Sequence, residues 1–108
     1  MTKKILTLLG FAAKSGSLSY GMDSTVSSIK ANKSRAVVMA TDISTKSKKE
    51  IHFHAGNKNV SVINFNNIDI ETLSKAVGRK CGIISINDSS FADAVCKALT
   101  TGGNANEQ

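Results

Sequence analysis

The sequence predicts an α/β fold built as a three-layer α/β/α sandwich. Three observations predict it. Segments of helical period alternate with short apolar runs of strand type along almost the whole chain. The run Ala36-Val37-Val38-Met39-Ala40 is apolar at every position and bounded by polar residues, as in a strand covered on both faces. The chain has 108 residues, of which 41% are apolar, enough for one domain with one modest core.

The elements follow in order. Lys4 to Lys14 reads as a helix with Ile5, Leu8, Leu9 and Ala12 on one face, and Ser15-Gly16-Ser17 ends it. Leu18-Ser19-Tyr20 is a short extended piece. Gly21 is a turn residue, and Met22 to Ala31 forms a second helix with Met22, Val26 and Ile29 inward. The strand at 36–40 follows a polar loop. Ser44 is a good N-cap for a third helix ending near Gly56. Val60 to Phe65 is a strand. Asp69 caps a short helix whose Leu73, Ala76 and Val77 face in and which Gly78 ends. Gly82 to Ile86 is a further strand, and Asn87-Asp88-Ser89 starts a last helix carrying Phe91, Val95 and Leu99. Residues 1–99 make the single domain. Thr100 to Gln108 is polar and is expected to be a disordered tail.

No apolar run approaches the roughly 20 residues of a membrane span. The N-terminal apolar stretch reads as an amphipathic helix rather than a signal peptide, because Lys14 follows at once and the apolar face recurs at helical spacing. Cys81 and Cys96 are too few for a disulfide framework or a zinc knuckle, so buried thiols in a cytoplasmic protein are expected. The net charge of +6 is uneven. Residues 1–58 carry ten Lys or Arg against three acids, and residues 59–108 carry four against five. A basic half suggests a polyanion-facing side; a solvated basic surface is the plainer alternative.

Motifs for catalysis are weak. Gly16 to Gly21 has the glycine spacing of a phosphate loop, but Met22 and Asp23 stand where the lysine and hydroxyl belong. Two turn glycines explain it better. His52 and His54 point about 200° apart on a helix and cannot share a metal. Asp88 with a nearby Ser and a distant His lacks a nucleophile elbow and is better explained as a helix cap. The chain is therefore expected not to be an enzyme and to need no cofactor.

Binding is better supplied. Lys30, Lys33 and Arg35 flank the end of the second helix, and Lys46, Lys48 and Lys49 open the third. Such residues neutralise phosphates without choosing sequence. One Tyr and four Phe are a poor platform for stacking single strands, so shape recognition of structured RNA fits better. At the start of the second helix, after Gly21, free backbone N–H groups and the positive dipole end coincide, with Asp23, Ser24 and Ser27 on one side. Ordinary capping by Asp23 and Ser24 is the alternative account of these residues.

An ordered set of segments resembles the kink-turn-binding ribosomal protein superfamily, in particular its bacterial YlxQ/YbxF-type members. They are Leu8 to Ala12, Ser19-Tyr20-Gly21 with Thr25-Val26, Ala36 to Ser44, Leu73 to Gly78, and Asp88 to Ala92. The resemblance runs from about Lys4 to Leu99. It implies a mixed four-stranded sheet and binding of kink-turn RNA, a sharply bent internal loop with sheared G·A pairs. It implies that the first turn of the second helix enters the widened groove at the kink, and that a loop before the last strand covers the flipped nucleotides. Gly21 then precedes the contact helix. Asp23, Ser24 and Ser27 stand where RNA-binding members resemble Asn, Glu and Lys. Val77, Gly78, Arg79 and Lys80 lie at the covering loop, and Thr41 and Asp42 match a structural turn.

Ser27 lacks the family's cation and Asp23 adds a negative charge, a departure worth about 1–3 kcal/mol. Lys30, further along the helix, is a partial substitute, with Lys33 beyond it. The expected partner is structured RNA of kink-turn type, ribosomal RNA included, bound by a monomer. The alternative is a protein-interaction scaffold on the same fold with RNA binding weakened or lost.

Overall fold

A computed structural model describes residues 2–101. It contains α1 (Thr2–Lys14), β1 (Leu18–Tyr20), α2 (Gly21–Lys30), β2 (Ala36–Met39), α3 (Thr45–Asn57), β3 (Ser61–Asn64), α4 (Ile70–Val77), β4 (Ile83–Ile86) and α5 (Ser89–Thr101). Each expected element is present, with ends moved by one or two residues. The expected tail begins at Thr100, but α5 continues through Thr101; positions 102–108 lie outside the described residues.

The four strands form one mixed sheet in the order β1-β4-β2-β3. β4 is antiparallel to both β1 and β2, and β2 is parallel to β3. The central strand β2 explains its own composition. Ala36, Val38 and Ala40 belong to a core shared with α1, α4 and α5, while Val37 and Met39 belong to a second core under α2 and α3. A strand buried on both faces has no polar side to show.

Local signals set the element ends. The Ser44 hydroxyl accepts from the N–H of Ser47, 3.1 Å away, and Asp69 accepts from Thr72 N–H at 2.8 Å. Asp88 accepts from the N–H groups of Ser90 and Phe91, which accounts for it as a cap. Gly78 ends α4 in the left-handed conformation, φ +80°, which costs a glycine nothing.

Under α2 the structure departs from the expected apolar face. Met22 and Val26 are only half-buried, and the fully covered residues are Thr25, Ser28 and Ile29. The reason lies in what α2 packs on. The hydroxyls of Ser28 and Ser19 are 2.7 Å apart, and Asn87 donates to Ser19 at 2.8 Å. Asn87 in turn accepts from Ser85, whose hydroxyl is also 2.8 Å from that of Ser34. This polar chain ties α2, β1, β4 and the loop before β2 together.

Candidate nucleic-acid interface

Strand directions determine which residues meet. Tyr20 pairs with Ile84, Met39 pairs with both Ile83 and Asn64, and all lie toward one end of the sheet, here called the upper end. Leu18, Ala36, Ser61 and Ile86 lie at the lower end. Helix α2 leaves the upper end at Gly21 and must reach the lower end, where Arg35 N–H donates to Ile86 at 2.8 Å. Helix α3 also leaves from the upper end, after β2, and returns to Ser61. The first turns of α2 and α3 are therefore neighbours, as are their last turns.

Gly21 opens α2 with φ +86°, turning the chain sharply out of β1 into the helix. The residue before it, Tyr20, is extended and supplies no side-chain cap. Neither Asp23 nor Ser24 caps the helix, which corrects the plainer account of these residues. The first-turn N–H groups of α2 are open to an external acceptor. Asp23, Ser24 and Ser27 are exposed, and helical geometry puts Asp23, Ser27 and Lys30 in one stripe.

The loop after α4 reaches the same place. Val77 packs against the core, Gly78 turns the chain, and Arg79 and Lys80 are exposed. Ser74 holds the loop's far side, its hydroxyl donating to Cys81 C=O at 3.1 Å and accepting from Cys81 N–H at 3.0 Å. Arg79 lies over the Tyr20 ring, 4.6 Å from its centroid. Burial pushes the Tyr20 phenol up and the Arg79 charge opposes this, so the ring is neutral at physiological pH. Thr41 and Asp42 brace the site from behind: Thr41 N–H donates to Ile68 C=O at 2.9 Å, and Asp42 accepts from Ile70 N–H at 2.8 Å.

The basic residues divide in a way the sequence did not show. Lys46, Lys48 and Lys49 sit in the opening turns of α3 and so at the upper end, beside the start of α2. Lys30 is the last residue of α2 and Lys33 follows it, about 13 Å from Gly21 along the helix axis. The sequence associated Lys30 with the contact turn; Arg79, over Tyr20, and the lysines in the opening turns of α3 are the cations at that end. No local pattern carries this, because it depends on β1 and β2 both running antiparallel to β4.

Residues considered for catalysis are accounted for otherwise. His52 is exposed with Nε2 3.4 Å from the Asn64 side-chain amide, and His54 meets Phe53 edge-on, with ring centroids 5.3 Å apart. Among the described residues no group of three His, Cys, Asp or Glu is placed to hold a metal. Cys81 and Cys96 are thiols, and burial pushes both up from the usual thiol range. No helix among the described residues is long and apolar enough to cross a membrane.

A single α/β/α sandwich with an uncapped helix start, a glycine-turned loop and flanking cations defines a class of binding domain. Residues 3–97 match the ribosomal protein L7Ae/L30e/S12e/Gadd45 family, and the chain belongs to that family. Among solved structures, a protein of unknown function from Bacillus halodurans superposes with a TM-score of 0.84 at 22% identity, over 90% of this chain and 97% of that one. The Giardia lamblia 15.5kD RNA binding protein superposes with a TM-score of 0.72 at 16% identity, over 93% of this chain and 85% of that one. No curated protein sequence matches the chain.

Proposed function

We propose that this protein is a non-enzymatic RNA-binding protein that recognises structured, kink-turn-like RNA through the upper end of its sandwich. The observation that carries the reading is convergence. The open N-terminus of α2, the Arg79–Lys80 loop and the lysines opening α3 come from three separate segments and meet at one end. Membership of a family of ribosomal proteins, and a fold shared with an RNA binding protein, support it.

In this reading residues 1–99 act as one domain, monomeric, cytoplasmic and without cofactor. Gly21 and the first-turn N–H groups receive phosphate or base acceptors, and Asp23, Ser24 and Ser27 face guanine edges. Val77, Gly78, Arg79 and Lys80 cover flipped nucleotides. Lys30 and Lys33, at the far end, meet a flanking stem of the RNA, ribosomal RNA being the natural source. The test is a gel-shift series at low salt comparing a kink-turn with a straight duplex of equal length. A clear preference for the kink-turn, with affinity falling steeply as salt rises, is expected. Equal binding to both sinks the reading.

Exposed Asp23 and Ser27 favour a second reading, a protein-interaction scaffold with RNA binding weakened. It expects partner capture that ribonuclease leaves intact.

A further inference from the structure

We infer that the groove between α1 and α4 is a second binding site, which takes an acidic amphipathic helix of a protein partner. The groove borders the proposed RNA surface, sharing Val77 and Gly78 with it, but the rest of its floor and its cations belong to the bodies of α1 and α4. The groove floor is apolar, formed by Leu6, Ala13, Ala76 and Val77. Its depth follows from Gly10. A Cβ there would meet the Ala76 carbonyl oxygen at 3.1 Å, so the glycine lets the two helices approach closely. Phe11 stands at the groove with 56% of its surface exposed, one of two large apolar side chains so exposed among the described residues.

The charged residues that line the groove itself are all cations. Lys3, Lys14 and Lys75 line the groove and no Asp or Glu does. Lys75 is paired with Glu71 at 3.4 Å, but both side chains are more than three-quarters exposed and a competing carboxylate replaces the pairing at little cost. Lys3 and Lys14 are eleven residues apart on α1, three helical turns, so they share a face and stand about 16 Å apart. The groove-lining residues between them are Leu6, Thr7, Gly10, Phe11 and Ala13, and none of these is a cation.

That spacing selects the occupant. A nucleic-acid strand presents a charge at every nucleotide and requires cations along its path. Here cations bound an apolar floor, which matches a partner helix with apolar anchors at i, i+3, i+4 and i+7 and carboxylates along its flanks. Phe11 supplies the aromatic anchor such interfaces centre on.

The test uses the full chain, isotopically labelled, titrated with a synthetic 14-residue helical peptide bearing Leu on one face and Glu on the other. Amide shifts confined to α1 and α4 are expected. Phe11→Asp and Lys14→Glu change exposed side chains, and circular dichroism checks that both variants keep the fold. Each is expected to weaken peptide binding about tenfold. The same peptide with Lys in place of Glu is expected not to bind. Absence of shifts, shifts centred on another surface, equal binding of the two peptides, or no effect of either variant overturns the inference. So does displacement of the peptide by a short single-stranded RNA, which identifies the groove as a nucleic-acid surface. Concentration-dependent shifts of α1 without peptide identify self-association instead and also overturn it.

Discussion

Arg79 lays its guanidinium over the ring of Tyr20, 4.6 Å from the centroid, and so joins the loop after α4 to the residue that precedes α2. Two parts of the proposed RNA surface that lie 59 positions apart in the chain are thereby held in one geometry. Replacing Arg79 with Ala is expected to cost only about 0.5–1 kcal/mol of stability, the usual value of an exposed cation–π contact. Its effect on RNA affinity is expected to be larger, about tenfold or more, because a cation and the loop's anchor are lost together. Urea unfolding and a gel-shift titration of the same variant check the two halves separately.

The lysines of α3 and those at the end of α2 are expected to behave differently. Lys46→Gln with Lys49→Gln removes two cations beside the α2 start and should reduce the salt slope of RNA binding by about two. Lys30→Gln with Lys33→Gln, at the other end of α2, should have the smaller effect on a minimal kink-turn lacking flanking stems. The reverse order in a salt titration would move the interface to the lower end of the sheet.

Ser27 is exposed on the stripe that also carries Asp23. Ser27→Lys adds a cation without disturbing packing and is expected to raise kink-turn affinity about tenfold, within the range of one good charged contact. No gain in a gel-shift titration would mean that this stripe does not face RNA.

Two covered hydroxyls should respond in opposite ways to removal. Ser85 is fully buried, and its hydroxyl links Ser34 to Asn87. Ser85→Ala leaves both partners short of a hydrogen bond and is expected to cost about 1–3 kcal/mol. The Thr25 hydroxyl is equally buried and has no hydrogen-bond partner. Thr25→Val keeps the shape and removes that polar atom, so stability is expected to hold or rise. Midpoints of urea denaturation decide both.

Hydrogen bonding to the side chain of Thr72, and then to its N–H, holds the Asp69 carboxyl below the usual carboxylate range. Since the folded group ionises more readily than the unfolded one, its contribution is complete above the unfolded range and is lost as pH falls through the folded value. Asp69→Asn keeps a capping acceptor but cannot titrate. Denaturation midpoints of the two proteins, compared from about pH 5 down to about pH 2.5, should converge at the acid end. A gap independent of pH would show that the cap does not depend on the charge.

Much of this architecture could be read directly. Ser44, Asp69, Asp88 and Gly78 end or start their helices through contacts within a few residues, which sequence spacing displays. The inner face of α2 was less legible. Apolar spacing pointed to Met22, Val26 and Ile29; Ile29 is buried, but Thr25 and Ser28 are better covered than Met22 and Val26, and Ser28 is so because it meets Ser19, which is tied in turn to Asn87 and Ser85. A polar residue that is buried through a distant partner looks, in the sequence, like an exposed one.

By itself the sequence determined the alternation of helices and strands, the doubly covered strand read at 36–40, and a turn at Gly21 that starts a helix. Period, capping and glycine chemistry act over a handful of residues, and such information is local. The tertiary structure alone decided which cations stand beside that helix. Because β1 and β2 are both antiparallel to β4, and so point the same way, α2 and α3 start at the same end of the sheet. Lys46, Lys48 and Lys49 are thereby brought to the α2 start, and Lys30 and Lys33 are carried away from it. Strand direction is a property of the assembled sheet, and no stretch of this chain encodes it alone.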